Sequence, residues 1–430
     1  MSMLLDVAHA YEEGKVLFED IMASDDCREF NVCEIYNQCE NDANNRIVSG
    51  DNLEYMKFLL KKKDMGGKLQ LIYMDPPFFS NGKYQASLKI KSDILGTSPL
   101  IKIGAYEDVW NNSMKEYLKM LTVRFFMMKE LLSDTGVLWV HLDWHASHYV
   151  KVILDQVFGE NNFVNEVVWT YKSGGANKRS FAKKHDTLLF YSKTGKYKFT
   201  PQPEKSYNRG LKPYRFKGVE EFQDEVGWYT IVNMKDVWSI DMVGRTSSER
   251  TGYATQKPEK LLERIINACT DEGDICADFF SGSGTLGAVC GRMGRHWILC
   301  DNGPAAEASQ VYRLARSGQN FDVQRCKESV NDNNAEFDLS GNELCFKTYM
   351  IDVDSMDCTS KDVIRNYMEQ DPLSLVKFWT VGYDDENGIS VIDNIYHPEE
   401  CKIQIKNNNY HKNIRIVGYN IFGDRFTVKL

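Results

Sequence analysis

Hydrophobic and polar positions along the chain follow two different periods, which predict strands and helices in alternation. Residues 69–74 are hydrophobic except at Gln70, as in a strand buried on both faces. Residues 114–132 have apolar positions at helical spacing, and Gly136 ends that stretch. A short strand over 137–141 and a helix over 145–158 follow. Strands that alternate with helices indicate a parallel sheet covered by helices.

The same alternation returns later in the chain, after an irregular stretch. Between about 165 and 250 the pattern breaks into short runs such as 166–171 and 187–191, and after about 330 the composition changes. Regular elements are predicted over 258–269, 275–279, 297–300 and 304–316, with a further helix from Thr285. We therefore expect an N-terminal helical extension (1–45), two halves of an α/β core (46–164 and 251–325), an inserted region (165–250) and a small C-terminal domain (326–430).

Length and composition set limits on the class of protein. A chain of 430 residues with 43% hydrophobic content can bury a sizeable core and is expected to form two or three domains. It has no run of about 18 apolar residues and no secretory signal at its start, so we expect a cytoplasmic protein without a membrane partner. The 11 cysteines include no C-x-x-C pair, which argues against a disulfide framework and a zinc knuckle.

Charge is distributed unevenly along the chain. The net charge is -9, but residues 171–220 contain 13 Lys/Arg and 3 Asp/Glu, interleaved with aromatic residues, whereas residues 331–400 contain 16 acids and 4 bases. Basic and aromatic residues together suit phosphate contact and base stacking, although a solvated basic surface would have the same composition. The predicted DNA-contacting residues in this segment are Lys172, Lys178, Arg179, Lys183 and Lys184.

A turn with unusual chemistry follows the strand over 69–74. It consists of Asp75, Pro76, Pro77 and Phe78. Neither proline can donate a backbone hydrogen bond, so the turn belongs at the rim of a sheet. There it can present a carboxylate, bare carbonyls and one aromatic face, which is what holding the amino group and ring of a flipped nucleobase would require.

A second turn, rich in glycine, follows the strand over 275–279. Gly282 and Gly284 lack a Cβ, so their backbone can approach a nucleotide-like cofactor closely. The turn also matches G-x-G-x-x-G, which alone would suggest a dinucleotide. Asp278 can accept from the ammonium of an amino-acid-like ligand and Asp301 from ribose hydroxyls, which favours S-adenosylmethionine. The predicted cofactor residues here are Asp278, Phe279, Phe280, Ser281, Gly282, Ser283, Gly284, Thr285 and Asp301.

Taken together, these motifs resemble the amino DNA methyltransferases of permuted motif order, the beta class, and within it the modification subunits of type III restriction systems. The resemblance covers residues 46–320 approximately, and its motifs occur in the family's order. They are Gly50-Asp51-Asn52-Leu53, Asp75-Pro76-Pro77-Phe78, Thr255-Gln256-Lys257-Pro258-Glu259-Lys260-Leu261, the glycine-rich turn, and Gly294-Arg295-His296-Trp297-Ile298 leading to Asp301. Similar too are His141-Leu142-Asp143, Phe158-Gly159-Glu160-Asn161-Asn162-Phe163 and Lys184-His185-Asp186.

The resemblance implies a Rossmann-like, mostly parallel sheet with circularly permuted motif order, in which residues 165–250 choose the DNA sequence. It implies that Asp75 and the Pro76 carbonyl hold the adenine amino group while Phe78 stacks on the flipped base. It assigns Asp51 to the cofactor adenine and Lys257 with Pro258 to the wall beside the methionine carboxylate. A homodimer on double-stranded DNA is expected and no metal is needed, so the cluster of His141, Asp143, His145 and His148 is read as polar residues at a strand end.

Three other functions remain open at this point. Cytosine N4 has an amino group of the same geometry, although Asp before the prolines favours adenine by family resemblance. The chain could also be an inactive DNA-binding specificity subunit that serves a restriction endonuclease, but such a subunit would have no chemical reason to keep both turns. A dehydrogenase would not explain the Asp75 turn or the basic segment. No G-x-x-x-x-G-K-[ST] loop is present, so restriction would need another polypeptide.

Overall fold

The computed structural model describes residues 3–38, 45–80, 82–92, 94–96, 98–110, 113–172, 178–326, 335–356, 358, 360–405 and 413–430. For residues 83–87 and 103–107 the description is limited to the backbone. The helices within these ranges are α1 Met3–Ala23, α2 Asn52–Lys61, α3 Met114–Leu131, α4 Ser147–Phe158, α5 Glu259–Cys269, α6 Thr285–Arg292, α7 Pro304–Arg316 and α8 Lys361–Gln370. None of them combines the length and apolar character needed to cross a bilayer.

Strands lie between these helices along the chain. In chain order they are β1 Asn31–Tyr36, β2 Arg46–Ser49, β3 Leu69–Met74, β4 Lys83–Lys89, β5 Leu100–Glu107, β6 Leu132–Leu142, β7 Phe163–Thr170, β8 His185–Ser192, β9 Pro203–Tyr207, β10 Phe222–Gln223, β11 Trp228–Asn233, β12 Val237–Ser239, β13 Ile275–Asp278, β14 His296–Asp301, β15 Phe321–Arg325, β16 Ala335–Ser340, β17 Glu343–Tyr349, β18 Val376–Asp384, β19 Ser390–Tyr396, β20 Lys402–Gln404, β21 Ile414–Asn420 and β22 Arg425–Lys429.

One large sheet organises the molecule. Its strand order is β12-β7-β8-β6-β3-β13-β14-β2-β15-β1-β19-β18-β21-β22. The six strands from β6 to β15 in this order all run parallel. Helices cover both faces: α1 to α4 pack on one face and α5 to α7 on the other, each over its own buried apolar cluster. The predicted α/β fold with a mostly parallel central sheet is therefore confirmed.

The regular elements of the core lie close to where the apolar pattern placed them. Helix α3 ends one residue earlier than predicted, α7 has the predicted bounds, and β13 ends at Asp278 rather than at residue 279. Local chemistry fixes the helix starts. The Ser113 hydroxyl accepts from the Glu116 amide at the start of α3, and Pro258, which cannot donate, immediately precedes α5.

The structure changes the expected division into parts. Strands β7 and β8 fall in the predicted inserted region, yet they pair antiparallel beside β6 in the central sheet. Among the described residues of that region, only β9, β10 and β11 form a separate small sheet. Strand β1 lies in the predicted helical extension, and β18, β19, β21 and β22 of the predicted C-terminal domain extend the central sheet. Residues 406–412 of that predicted domain lie outside the described residues.

A buried group of charges joins the C-terminal strands to the core. The Glu34 carboxylate on β1 pairs with Arg325 on β15 at 2.9 Å and with Arg425 on β22 at 2.6 Å. Arg325 also pairs with Glu307 of α7, which accepts from the Tyr419 hydroxyl at 2.7 Å. Burial alone would raise the pKa of Glu34, but the two arginines outweigh it and lower the pKa to about 2. The last strands are thus held by charges from which water is excluded.

Replacing Glu34 by alanine should destabilise the fold strongly, because it leaves two buried guanidinium groups without their shared carboxylate. The expected loss in the free energy of unfolding is about 3–5 kcal/mol, measured by urea denaturation. Since the pKa of Glu34 is depressed, the wild-type contribution should persist at neutral pH and fade only as the pH falls toward about 2.

Glu13→Ala is the matched control, because Glu13 pairs with Lys115 and Lys119 on the exposed surface. Equal losses for the two variants would contradict a structural role for the buried charges.

Candidate active site

The two turns singled out in the sequence lie next to each other. Strands β3 and β13 are parallel neighbours, with Tyr73 paired to Asp278 in register. Asp75 follows the end of β3, and the glycine-rich turn follows the end of β13. Parallel strands place their carboxyl ends at one edge of a sheet, where open α/β sheets bind ligands. Turns about 200 residues apart in the chain therefore form one site.

A cleft runs between these turns. Of the predicted catalytic residues it is lined by Asp75, Pro76, Pro77 and Phe78, and of the predicted cofactor residues by Lys257, Asp278, Phe280, Ser281, Gly282, Ser283, Thr285 and Asp301. Side chains without an assigned role in the sequence also line it, namely Tyr73, Tyr253, Thr255, Leu262, Leu286 and Asn302.

The two oxygens of the Asp75 carboxylate have different surroundings. Oδ2 forms an ion pair with the Lys257 ammonium, which also lies 5.5 Å from the centre of the Phe78 ring. Oδ1 is buried, and no residue that the structure describes hydrogen-bonds to it. His141 Nδ1 lies 3.8 Å from Oδ1, beyond hydrogen-bond distance. A buried carboxylate oxygen without a donor is costly, and a bound donor would remove that cost.

His141 belongs to a buried chain of hydrogen bonds behind Asp75. Its Nε2 lies 3.1 Å from Asp186 and its Nδ1 2.8 Å from the Tyr73 hydroxyl. A carboxylate only accepts, so Nε2 carries the hydrogen in the bond to Asp186. Burial would raise the pKa of Asp186, but the hydrogen bond and charge of His141 lower it overall. The sequence contained both residues in its shorter motifs, but only the fold shows that they support Asp75.

Aromatic contacts fix the shape of the Asp75 turn. Tyr117 of α3 donates to the Pro77 carbonyl at 2.7 Å, and the Phe78 ring lies 5.7 Å from the His141 ring. Just beyond the turn, the buried Asp108 accepts from the backbone and side chain of Ser80. The turn is therefore held from both sides, which keeps Phe78 at the wall of the cleft.

The glycine-rich turn has a backbone that side chains would disturb. Gly282 has φ of 44°, and a Cβ there would lie 3.1 Å from the Tyr253 ring. Gly284 has φ of 73°, and a Cβ there would lie 2.9 Å from Gln310. Both positions are left-handed and confined, so glycine is required. The Gly282 amide donates to Asp301 Oδ2 at 2.8 Å, which ties the turn to the end of β14.

Two acids beside this turn are shifted toward neutrality. Burial raises the pKa of Asp278 well above its usual value, although the Phe280 amide donates to it at 2.9 Å. Burial also raises the pKa of Asp301, against the amides of Gly303 and Gly282. A cationic ligand beside Asp278 would restore its charge at little cost, because an opposite charge favours the ionised form. The Asp278 carboxylate thus fits the ammonium group in the methionine part of S-adenosylmethionine.

Four of the predicted cofactor residues lie away from the cleft lining, each for a local reason. Asp51 caps α2, accepting from the amides of Leu53 and Glu54, and lies 3.6 Å from Arg124. The Phe279 ring is fully buried in the core, although its carbonyl accepts from Asn52 at 2.6 Å. The two others shape the chain beside the site: Pro258 precedes α5, and Gly284 precedes α6.

The predicted DNA-contacting residues flank β7 and β8 at the same edge of the sheet as Asp75. The segment 178–184 leads into β8, whose Asp186 holds His141, and the Lys184 carbonyl accepts from Tyr171. The Lys183 ammonium lies 3.3 Å from the centre of the Trp144 ring, which follows the carboxyl end of β6. Lys178 and Arg179 are exposed, and Lys172 pairs loosely with Asp241 at 3.6 Å. DNA contact by these residues remains a prediction.

Three members of the predicted cluster at the end of β6, His141, Asp143 and His145, are engaged in hydrogen bonds, whereas His148 is exposed. His145 Nδ1 lies 2.7 Å from Asp143 Oδ2, and His141 is engaged as described above. Across the described ranges, no group of three or more His, Cys, Asp or Glu residues is arranged to hold a metal ion.

Comparison with known proteins shows to which protein family the chain belongs. Residues 69–310, more than half of the chain, match the DNA methylase family of N6 and N4 amino-methyltransferases. The chain belongs to this family. Its members take the transferred methyl group from S-adenosylmethionine, the cofactor that the glycine-rich turn predicted.

The relatives of this DNA methylase include three type II methyltransferases. It is 29% identical to M2.DpnII of Streptococcus pneumoniae over 57% of this chain and 81% of that protein. It is 31% identical to M.KpnI of Klebsiella pneumoniae over 46% of this chain and 43% of that protein. It is 27% identical to M.HinfI of Haemophilus influenzae over 60% of this chain and 65% of that protein. The chain thus spans most of the first relative but less than two thirds of the other two. The narrower resemblance to type III subunits remains a prediction.

Two solved structures of low identity resemble part of the chain. One is the complex of M1.HpyAVI with S-adenosylmethionine, with 18% identity, coverage of 63% of this chain and 98% of that chain, and a TM-score of 0.40. The other is the cytosine-N4-specific PvuII DNA methyltransferase, with 17% identity, coverage of 66% of this chain and 90% of that chain, and a TM-score of 0.43.

Replacing Asp186 by asparagine should slow methyl transfer without weakening cofactor binding, because His141 would lose the carboxylate that fixes its orientation behind Asp75. A displacement of about 1 Å can cost about 100-fold in rate, so we expect kcat to fall by about 10- to 100-fold. Steady-state kinetics would measure it, with the KM for the cofactor little changed.

Asp155→Asn provides the control, since Asp155 accepts from the Tyr191 hydroxyl at 2.6 Å on α4, outside the cleft lining. The positioning role is wrong if both variants keep wild-type kcat, or if both lose it together with their fold.

Proposed function

We propose that the chain transfers a methyl group from S-adenosylmethionine to the N6 amino group of adenine in a short sequence of duplex DNA, after the base has been flipped out of the helix. The observation that carries this proposal is the unequal use of the Asp75 oxygens. Lys257 occupies Oδ2, and Oδ1 is buried in the cleft wall without a donor from the described residues. An exocyclic amino group is a donor of the right kind for Oδ1.

Hydrogen bonding to Asp75 would activate the nitrogen. The N6 lone pair is delocalised into the adenine ring, so the nitrogen is a weak nucleophile until its hydrogens are held out of the ring plane. Asp75 Oδ1 and the Pro76 carbonyl are the proposed acceptors, and Phe78 is the proposed stacking surface for the base. Both hydrogen bonds strengthen as positive charge develops on the nitrogen, so they stabilise the transition state more than the ground state.

The chain's remaining role would be to place the reactants in line. When bound, S-adenosylmethionine supplies an electrophilic methyl group: the new N–C bond forms as the C–S bond breaks, sulfur keeps the bonding pair, and the nitrogen then releases a proton to water at the mouth of the cleft. We assign Asp278 to the cofactor ammonium, the Gly282 backbone to close approach and Asp301 to the ribose hydroxyls. Lys257 would remain paired with Asp75 Oδ2, and Lys257 and Pro258 are assigned to the wall beside the methionine carboxylate.

Several further features belong to the same proposal. Duplex DNA is the proposed substrate, contacted by Lys172, Lys178, Arg179, Lys183 and Lys184, and the proposed location is the cytoplasm. We also propose a homodimer on DNA and, by resemblance to restriction–modification subunits, a nuclease as a separate polypeptide. Light scattering of the purified protein with and without DNA tests the dimer.

Base-resolved methylation mapping tests the reaction and the role of Asp75. DNA from cells that express the wild-type chain should carry N6-methyladenine in one short motif, and Asp75→Asn should remove it. With purified protein, kcat should fall at least about 100-fold, because the neutral amide keeps one acceptor oxygen, which Lys257 would hold, and turns an NH2 donor toward the base. DNA and cofactor binding should remain.

Asp64→Asn is the matched control, since Asp64 is an exposed acid before the amino end of the same strand. Finding N4-methylcytosine in the motif would correct the base. Methylation that persists in Asp75→Asn, or that is absent from both cell lines, would contradict the proposal.

Cofactor affinity should fall as the pH becomes acidic, because Asp278 must be ionised to hold an ammonium group. The pKa of Asp278 is raised well above its usual value, so its protonation should set in at a higher pH than for an ordinary aspartate. Calorimetric titration with S-adenosylmethionine at decreasing pH measures this. Asp278→Asn should bind weakly with little dependence on pH.

Asp274→Asn, at the amino end of the same strand, should keep the wild-type affinity and pH dependence. An unchanged affinity in Asp278→Asn would remove this carboxylate from the cofactor site.

A further inference from the structure

Phe181 is a large apolar side chain left in water. Its side chain is 99% exposed, the highest value among the exposed hydrophobic residues that the structure describes. A single exposed aromatic is not unusual in itself, but one that is bare on all sides has an unused stacking surface. Its neighbours Arg179 and Lys183 are basic and exposed. This combination suits a polyanion that also offers flat apolar faces, which is the chemistry of DNA.

The position of Phe181 ties it to the catalytic turn. Five residues further along the chain, Asp186 accepts from His141, which lies 3.8 Å from Asp75. On the other flank, the Lys183 ammonium lies over the Trp144 ring at the end of β6, the strand next to β3. The base of the loop that carries Phe181 is therefore fixed to the carboxyl edge of the sheet, beside the cleft. Phe181 therefore lies four residues before β8, which begins at the edge of the sheet where the proposed target base would enter.

We propose that Phe181 is the wedge that enters the duplex at the target base pair and stacks on the bases left behind when the target base leaves. The proposal rests on the methylation proposed above. Flipping opens a gap in the base stack and costs a few kcal/mol in lost stacking and pairing. Apolar side chains that insert between base steps offset such costs in other DNA-binding proteins. Here the basic neighbours would hold the phosphates while the ring fills the gap.

The wedge role makes a specific prediction about which DNA substrates rescue a variant. Stacking of an aromatic side chain on a base is worth about 1–3 kcal/mol, so Phe181→Ala should lower kcat/KM by about 10- to 100-fold on a duplex with the target adenine paired. In a duplex that carries the mapped motif with an abasic site opposite the target adenine, the adenine is unpaired, so flipping it breaks no base pair. On that substrate Phe181→Ala should approach the wild-type rate, and Phe181→Trp should retain activity on both.

A fluorescent base gives a second measurement that does not depend on turnover. With 2-aminopurine in place of the target adenine, wild-type protein should raise the fluorescence strongly when it flips the base. Phe181→Ala should raise it much less at saturating protein. The control is Phe199→Ala: Phe199 is 49% exposed, near the end of α5 at the opposite edge of the sheet, and should behave as wild type in both assays.

Three results would overturn the wedge. Phe181→Ala could act as wild type on the paired duplex, or lose the same factor on paired and abasic substrates. It could also change the oligomeric state of the free protein, which would assign Phe181 to a contact between copies. If wild-type protein methylates no DNA, the proposed function itself fails. If wild-type protein is active and the substrates do not discriminate Phe181→Ala, only the wedge fails.

Discussion

The pairing of β3 with β13 is the constraint on which the active site depends. It places the carboxyl ends of two strands from distant parts of the chain side by side, with Tyr73 and Asp278 in register. Each strand ends in a turn that could not continue as strand, one because of prolines and the other because of left-handed glycines. A parallel sheet buried under helices on both faces fixes this register, since a slip by one residue would turn every buried side chain to the wrong face.

The local chemistry of the site could be read from the sequence, because it depends on residues that are neighbours in the chain. The Asp75 turn, the glycine-rich turn and Asp301 were all predicted, and all line one cleft. What could not be read is how side chains from different elements meet. Lys257 lies 182 residues from Asp75, and no spacing rule indicates that its ammonium reaches that carboxylate. Phe279 illustrates the reverse error: it belongs to the motif, yet its ring faces the core.

Larger boundaries were harder to predict for a related reason. Short alternating strands give the same signal whether they pair with each other or join a larger sheet. Strands β7 and β8 join the central sheet because β6 offers an open edge, which the sequence does not reveal. At the other end, the change in composition after about residue 330 suggested a separate domain. The buried Arg425, Arg325 and Glu34 instead bind the last strands to the core.

The permuted order of motifs has no effect on the finished site, and the Lys257–Asp75 pair shows why. The third motif in the chain places the Lys257 ammonium beside Asp75 of the second, across a sheet whose strand order differs from the chain order. An ion pair this well buried gains from the lower dielectric only if the remaining lone pairs also find donors. Oδ1 of Asp75 lacks one among the described residues. The site is thus stable enough to fold and still short of one hydrogen bond, and we infer that a flipped base supplies it.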